Sequence, residues 1–316
     1  MAKLNKNEVV HMQIKRIEKE IRDTPYHKGT EHHIGRLRAK LSKLKDNLLT
    51  SSSGKGGGGG YAVKKQGDAT IVLVGPPSAG KSTLLNKLTN AQSKVAPYAF
   101  TTVSVIPGMM EYKNAFIQIL DVPGLIEGAE EGKGRGKEVI SVVRASDLIV
   151  LMTDREIYRV LKNSEESLYR NGIRINQLPP KVSIEKKLKG GVLVHTNIKQ
   201  DLDKETIKDV ANEMGIKNAE INIREKLSMD TLIDAFNTNR VYIPGLKVVN
   251  KVDKGKVKEK DAIAISAEMD IGLEDFKEAI WEKLGFVRVY LVKPDAEPSM
   301  DEPIVMHVGD TLSDVA

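Results

Sequence analysis

The sequence predicts an α/β fold with a mostly parallel sheet and helices on both of its faces. Short apolar runs such as 71–74 (IVLV) and 116–120 (FIQIL) lie between stretches with helical periodicity. Continuous apolar runs are typical of parallel strands buried on both faces, and strands that alternate with helices indicate an α/β sheet. A glycine-rich loop that joins the first of these strands to the next helix is a third sign of this class.

The other elements of the predicted sheet are spread along the rest of the chain. Strands are expected at 147–152, 248–249 and 262–265, and helices at about 81–90 and 134–145. Since parallel strands need crossover connections, this alternation favours one sheet that extends over most of residues 61–286.

The long interval between the third and fourth predicted strands indicates an inserted subdomain at about 170–240. Ninety-six positions separate Asp154 from Asn250, whereas a crossover helix needs only about a dozen. The insertion contains no catalytic constellation, and we expect a structural role for its lone histidine, His195.

The first 60 residues predict a basic helical hairpin that ends in a flexible glycine-rich linker. Apolar residues recur at helical spacing over 5–22 and 30–49. One apolar stripe per helix is a small core, so the hairpin is expected to dock on the next domain or on a partner.

The charge of the chain is concentrated in this hairpin. Residues 1–50 hold twelve Lys or Arg and six Asp or Glu, so they carry the whole net charge of +6. A basic surface predicts contact with nucleic-acid phosphates, for which Lys15, Arg16, Arg36 and Arg38 are candidates. The alternative is a solvated helical face with a chance excess of cations.

Composition excludes several classes of protein. The chain has no cysteine, which excludes disulfide frameworks and Cys-ligated metals and fits a cytoplasmic location. No apolar run reaches about eighteen residues and no signal peptide is evident, so no membrane partner is expected. Residues 287–316 begin with a predicted strand at 287–292 and open a small β-rich segment.

Residues 75–82 match the phosphate-binding pattern G-x-x-x-x-G-K-[ST], between a strand and a helix as this pattern requires. Successive backbone N–H groups and the helix N-terminus would face the phosphates. Lys81 can reach the β- and γ-phosphates, and the Ser82 hydroxyl can ligate Mg²⁺. The pattern alone does not separate ATP from GTP. The predicted cradle comprises Gly75, Pro76, Pro77, Ser78, Ala79, Gly80, Lys81, Ser82 and Thr83.

The segment Asn250-Lys251-Val252-Asp253 follows a predicted strand at the edge where α/β proteins bind ligands. A carboxylate there can accept hydrogen bonds from N1–H and the 2-amino group of guanine. Adenine has an acceptor at N1 and no 2-amino group, so the segment favours guanine.

Two further segments predict the part of the site that senses the third phosphate. Asp121 ends a strand and is followed by Val122-Pro123-Gly124, which suits Walker-B-type organisation of Mg²⁺ with a glycine N–H near the γ-phosphate. Phe100-Thr101-Thr102 lies between the two motifs, where a threonine hydroxyl can complete the Mg²⁺ shell. For the two threonines a plain β-strand is the alternative.

With these motifs in view, the chain resembles the Obg-like GTPases of the TRAFAC class, and most closely the developmentally regulated GTP-binding proteins. The resemblance covers nearly the whole length, and the motifs together are highly specific. The carrying stretches are SSSGKGGGGGYAVKKQGDATIVLVGPPSAGKSTLLNKLTN (51–90), PYAFTTVSVIPG (97–108), QILDVPGLIEGAEEGKGRGKEVISVVRASDLIVL (118–151), NKVD (250–253) and ISAE (265–268).

The resemblance implies a P-loop GTPase domain at 61–286 with a helical hairpin at 1–60, an S5-domain-2-like insertion and a truncated TGS β-grasp tail at 287–316. It implies that Ser82 and Thr102 ligate Mg²⁺, that Asp121 contacts it through water, and that Asn250 and Asp253 bind guanine. It implies that Ser266, Ala267 and Glu268 form the base-side loop. It also implies GTP and GDP as ligands, a ribosome-associated role in translation and a dedicated partner protein.

The chain departs from Ras-like proteins after the switch glycine, where Leu125 replaces the glutamine that orients water. We therefore expect slow intrinsic turnover that relies on backbone groups, a monovalent cation or a partner. Some relatives use K⁺ with a P-loop asparagine, and Ser78 holds that position here, so K⁺ dependence is a hypothesis. Two alternatives stay open, an ATP-using P-loop enzyme and a GTP-binding scaffold with negligible turnover.

Overall fold

The computed structural model describes residues 6–50, 66–89, 96–97, 104–122, 135–154, 159–255, 261–292 and 303–315. Its α-helices, in chain order, are α1 (Lys6–Asp23), α2 (Glu31–Thr50), α3 (Lys81–Leu88), α4 (Arg135–Arg144), α5 (Arg159–Arg170), α6 (Lys204–Glu213), α7 (Met229–Phe236), α8 (Leu273–Leu284) and α9 (Leu312–Val315). Its strands are β1 (Ala69–Val74), β2 (Ala96–Pro97), β3 (Ser104–Tyr112), β4 (Ala115–Asp121), β5 (Leu148–Asp154), β6 (Ile173–Ile175), β7 (Val182–Lys186), β8 (Val192–Thr196), β9 (Ala219–Ile223), β10 (Val241–Ile243), β11 (Gly245–Asn250), β12 (Ile263–Ala264), β13 (Phe286–Val289) and β14 (Ile304–His307).

These elements form two compact units, and each is described by itself. The hairpin unit comprises the described parts of Met1–Gly58 and Leu178–Arg240, and the sheet unit comprises those of Gly59–Gln177 and Val241–Ala316. The chain therefore leaves the sheet unit after β6 and returns to it at β10, which pairs with β6 in parallel.

The sheet unit is built on a seven-stranded sheet with the order β12-β11-β5-β1-β4-β3-β2. The five strands from β12 to β4 run parallel, and β3 and β2 extend the edge through antiparallel pairing. The predicted mostly parallel sheet is thus confirmed. Parallel strands place their carboxyl ends along one edge, and this edge carries the candidate site.

Strand β1 shows why both faces of the sheet are covered. All six of its residues are buried, and successive side chains point to opposite faces. Ile71 and Leu73 belong to one apolar cluster with α3 and α8. Val72 and Val74 belong to another with α4 and α5. The apolar run at 71–74 is therefore explained by a strand that is covered by helices on both faces of the sheet.

The inserted segment forms a second, smaller sheet in the hairpin unit, with the order β7-β9-β8. Every second residue of β9 is buried, beginning with Ala219, and these residues pack with α6 and α7. The other face of the sheet is more polar. His195 lies there, half-exposed, with its Nε2 atom 3.1 Å from Glu220 Oε1.

The N-terminal hairpin packs on this inserted segment. Helix α2 contacts α1, α6 and α7, and its Ala39 belongs to the apolar cluster of the insertion. Gly35 lies so close to α7 that a Cβ atom would stand 2.7 Å from the Met229 methyl carbon. The insertion therefore covers the apolar stripe that the sequence left without a partner.

A buried ionic cluster joins α2 to the end of the insertion. The Arg240 guanidinium donates from Nε to Asp234 Oδ1 at 2.7 Å and from Nη2 to Ser42 Oγ at 2.7 Å. Its Nη1 atom lies 3.2 Å from Asp46 Oδ1. The Arg240 and Asp234 side chains are 9% and 7% exposed, so little solvent screens the attraction between these charges.

Strands β13 and β14 form a two-stranded antiparallel sheet within the sheet unit, and α9 follows them. The Phe286 ring lies 5.3 Å from that of Trp281 on α8, centroid to centroid. The TGS assignment of this tail stays a prediction.

In the described part of the chain, every helix is either too short or too polar to span a bilayer.

We predict that Arg240→Met destabilises the hairpin unit by about 3–5 kcal/mol, because two buried carboxylates lose their cation. Hydrogen exchange of α2 and α7 amides measures this loss. Arg38→Met is the matched control, since Arg38 pairs with the exposed Asp230 at 3.0 Å and such pairs contribute about 0–1 kcal/mol. Equal losses in the two variants would contradict the prediction.

Candidate nucleotide-binding site

The predicted phosphate loop follows β1 at the carboxyl edge of the sheet. A short 3₁₀ turn, Pro77–Ala79, leads to Gly80, and α3 begins at Lys81. Gly80 has a φ of +84°, and a Cβ atom there would collide with the Asn250 amide nitrogen. A Cβ atom on Gly75 would collide with the Met152 carbonyl oxygen of β5. Both positions therefore require glycine for space, and Gly80 also for its backbone conformation.

Lys81 supplies a positive charge at the start of α3. Its side chain is buried, and Nζ donates to the carbonyl oxygens of Gly75 and Pro76, each at 3.0 Å. Burial lowers the pKa of Lys81, and the nearby Asp121 carboxylate opposes this change. The ammonium group and the first turn of α3 together suit an anion.

Ser82 and Asp121 meet where the loop faces the end of β4. The Ser82 hydroxyl donates to Asp121 Oδ2 at 2.5 Å. Asp121 is 4% exposed, and its Oδ1 atom is buried with no hydrogen-bond partner among the described residues. Hydroxyl and carboxylate oxygens are the hard ligands that Mg²⁺ prefers. The donor set and the orphaned oxygen therefore fit Mg²⁺.

The Asn250 amide joins three segments that are distant in the sequence. Its Nδ2 atom donates to the Ala79 carbonyl of the phosphate loop at 2.9 Å. Its Oδ1 atom accepts from the Ala267 N–H at 2.9 Å. Because Asn250 is 3% exposed, leaving either group unpaired would cost about 1–3 kcal/mol. Asn250 thus fixes the 250–253 segment against the phosphate loop.

Lys251 makes a second link to the phosphate loop. Its backbone is left-handed, with φ of +62°, and its Nζ atom donates to the Ser78 carbonyl at 2.6 Å. The same ammonium lies 3.5 Å from Asp154 Oδ2. Asp154 lies outside every motif that the sequence contains. Its position as the last residue of β5, at the ligand-binding edge, was the available signal.

Asp253 is held from the opposite side by Ser266. The Ser266 hydroxyl donates to Asp253 Oδ1 at 2.6 Å. Backbone hydrogen bonds between Ser266 and Ile271, at 3.0 and 3.1 Å, close a tight turn around this serine. One carboxylate oxygen of the exposed Asp253 is therefore fixed by a residue from the 266–268 loop.

The structure brings together most of the predicted site that lies in its described part. The phosphate loop, Lys81, Ser82 and Asp121 share one end of the site, and Asn250, Lys251, Asp253, Ser266 and Ala267 share the other. Thr83 and Glu268 are exposed. The remaining predicted residues lie outside the described ranges: Phe100, Thr101, Thr102, Gly124 and Leu125.

Comparison with known proteins agrees with this geometry. The family model described as "50S ribosome-binding GTPase" matches residues 70–186. A second model, described as the C-terminal region of the MMR_HSR1 domain, matches residues 189–286. The strand, loop and helix around Lys81 and the order of the sheet define a P-loop GTPase fold.

Relatives of this chain are similar over almost all of its length. An uncharacterized GTP-binding protein of Methanocaldococcus jannaschii is 49% identical over 97% of this chain and 81% of that protein. Developmentally-regulated GTP-binding protein 1 of Xenopus laevis is 42% identical over 95% of this chain and 85% of that protein. The Dictyostelium discoideum homologue of developmentally-regulated GTP-binding protein 2 is 41% identical, with 96% and 86% covered. This chain belongs to the family of developmentally regulated GTP-binding proteins.

Proposed function

We propose that this protein binds GTP and GDP selectively and hydrolyses GTP to GDP and phosphate in a Mg²⁺-dependent reaction. The observation that carries the proposal is the buried Asn250 amide, because it links the phosphate loop to the segments that flank a base. One end of the site carries a buried cation suited to phosphates, and the other carries a fixed carboxylate.

Guanine selectivity follows from the carboxylate of Asp253. Its two oxygens can accept from N1–H and from the 2-amino group of guanine, and Ser266 keeps the side chain in place. Adenine offers neither donor, so its binding would leave the carboxylate unmatched. The preference of the Asp253 carboxylate for guanine therefore disfavours an ATP-using enzyme as the function of this chain.

The residues around the phosphate loop would bind the phosphates and the Mg²⁺ ion. Lys81 would bind the β- and γ-phosphates, while Ser82, Asp121 and Thr102 would hold Mg²⁺ directly or through water. Bound by these residues, Mg²⁺ would offset the negative charge that develops on the phosphates. The Gly124 N–H would contact the γ-phosphate, so Thr102 and Gly124 would respond to hydrolysis.

Turnover is proposed to be slow without a partner. Leu125 cannot orient water through a hydrogen bond, so the reaction needs backbone groups, K⁺ or a partner for this step. Because the Leu125 side chain offers no hydrogen bond to water, a scaffold that binds GTP with negligible turnover is the second candidate function.

Ribosome association in the cytoplasm, as a switch in translation, is the biological role that we propose. It is supported by the description of the matched family model, which names the 50S ribosome, and by the basic hairpin. Lys15, Arg16 and Arg36 are exposed and suited to rRNA phosphates. Arg38 is a poorer candidate than the sequence indicated, because Asp230 pairs with it at 3.0 Å.

We predict that Asp253→Asn lowers GTP affinity about 10²-fold or more and raises affinity for xanthosine triphosphate. Xanthine carries a carbonyl where guanine has the 2-amino group, so an amide donor matches it. Competition binding with GTP, XTP and ATP measures the change, and Asp275→Asn on the exposed face of α8 is the control. Equal wild-type affinity for GTP and ATP would contradict guanine selectivity.

We predict single-turnover GTP hydrolysis on the order of 10⁻³ s⁻¹ for the protein alone. The rate should fall to background with EDTA, rise with ribosomes and be higher in KCl than in NaCl. Equal rates in the two salts would remove the K⁺ hypothesis. Background rates under all conditions, with GTP still bound, would establish the scaffold instead.

We predict that Lys15→Gln, Arg16→Gln and Arg36→Gln together flatten the salt dependence of ribosome binding. The slope of log affinity against log salt should decrease by about 2–3, because up to three phosphate contacts are lost. Co-sedimentation with ribosomes and a non-hydrolysable GTP analogue, over a salt series, measures it. The triple variant Lys186→Gln, Lys199→Gln and Lys204→Gln removes the same charge from exposed positions of the insertion. An equal change there would leave the hairpin face as a solvated surface.

A further inference from the structure

We propose that Asp154 is a positioning residue that holds Lys251 across the phosphate loop and thereby sets how long a guanine nucleotide stays bound. The inference rests on the guanine site proposed above. It concerns a residue outside the motifs that the sequence pointed to, at the end of a neighbouring strand.

The sheet places Asp154 beside the base-recognition segment. Strands β5 and β11 run parallel, and Asp154 is the register partner of Asn250. The Asp154 side chain is 13% exposed, and its Oδ2 atom lies 3.5 Å from Lys251 Nζ. The carboxyl ends of these two strands therefore bring the nearly buried Asp154 carboxylate close to the Lys251 ammonium, which donates to the Ser78 carbonyl.

The Lys251 side chain depends on an additional charged contact for its position more than the Asn250 side chain does. The Asn250 amide is short and is fixed at both ends by backbone groups. The Lys251 ammonium ends a flexible four-carbon stem, and its ordering costs side-chain entropy. The Ser78 carbonyl accepts from this ammonium at 2.6 Å, and the Asp154 carboxylate, with little solvent around it, adds an opposite charge at 3.5 Å that favours the same placement of the stem. Asp154 thus helps to keep the Lys251 ammonium at the Ser78 carbonyl of the phosphate loop.

The kinetic consequence is a change in the rate of nucleotide release. Lys251 contacts the loop at the Ser78 carbonyl, whereas Lys81 contacts the Gly75 and Pro76 carbonyls, so loss of the Lys251 contact should weaken GTP and GDP binding alike. Dissociation of GTP and of GDP should therefore accelerate by a similar factor.

The test is a double-mutant cycle read out by dissociation of a fluorescent ribose-labelled GDP. Asp154→Asn should release it about tenfold faster than wild type, and Lys251→Met should do so at least as fast. If Asp154 acts on release through Lys251, the double variant should match Lys251→Met alone. Asp147→Asn is the matched control, since Asp147 precedes β5 at the opposite edge, where it accepts from the Thr70 N–H, and its release rate should equal that of wild type.

Thermal unfolding checks that each variant folds. Should Asp154→Asn not fold, Asp154→Glu and Asp154→Gln carry the same comparison, since they differ only in charge, and the Gln variant should release GDP faster. Unchanged release in the neutral variants, or additive effects in the double variant, would overturn the role of Asp154 and leave the guanine site intact. Equal retention of labelled GDP and labelled ADP by wild type would overturn the guanine site and the inference with it.

Discussion

The two hydrogen bonds of the buried Asn250 side chain are the constraint on which the nucleotide site depends. The Asn250 amide nitrogen donates to the Ala79 carbonyl of the phosphate loop, and the amide oxygen accepts from the Ala267 N–H. A shift of the phosphate loop or of the 266–268 loop would therefore leave a buried polar group of Asn250 without its hydrogen bond. Such a group costs about 1–3 kcal/mol when buried and unpaired. Gly80 takes part in this constraint, because any larger residue would displace the same amide. The glycine that lets the loop wrap an anion therefore also lets the base segment approach.

The parallel sheet makes this convergence possible. Strand β5 lies between β1 and β11, and the Met152 carbonyl leaves room only for a glycine at position 75. The ends of β1, β4, β5 and β11 lie along one edge, so Asp121, Asp154 and Asn250 lie at that edge although the sequence separates them widely. Charges of both signs collect there: Lys81 and Lys251 face the loop carbonyls, and the carboxylates lie beside them.

The sequence predicts the local parts of this arrangement and leaves out the contacts that assemble them. The phosphate loop was predictable because strand, turn and helix each carry a signal in adjacent residues. The partners of Asn250 were not predictable, since Ala79 and Ala267 contribute only backbone atoms, which every residue has. Asp154 carried no motif of its own, and its role depends on the register of β5 with β11. The cover of the hairpin was unpredictable for a related reason, because an apolar stripe shows that a face is buried and not which element buries it.

The polar contacts of the hairpin explain how one docking register is selected. Apolar stripes on α2 and on the insertion supply the driving force, but a stripe can slide by a helical turn and still bury similar area. A slide of one turn, about 5.4 Å, would move Asp46 away from the Arg240 guanidinium. It would also move Gly35 away from Met229, whose methyl carbon lies only 2.7 Å from where a Cβ atom would stand. The planar guanidinium fork matches its acceptors in one geometry, so a shifted helix would leave a buried carboxylate unpaired. The ionic cluster therefore acts mainly on the position of α2, while burial of Ala39 and its neighbours supplies the free energy of docking.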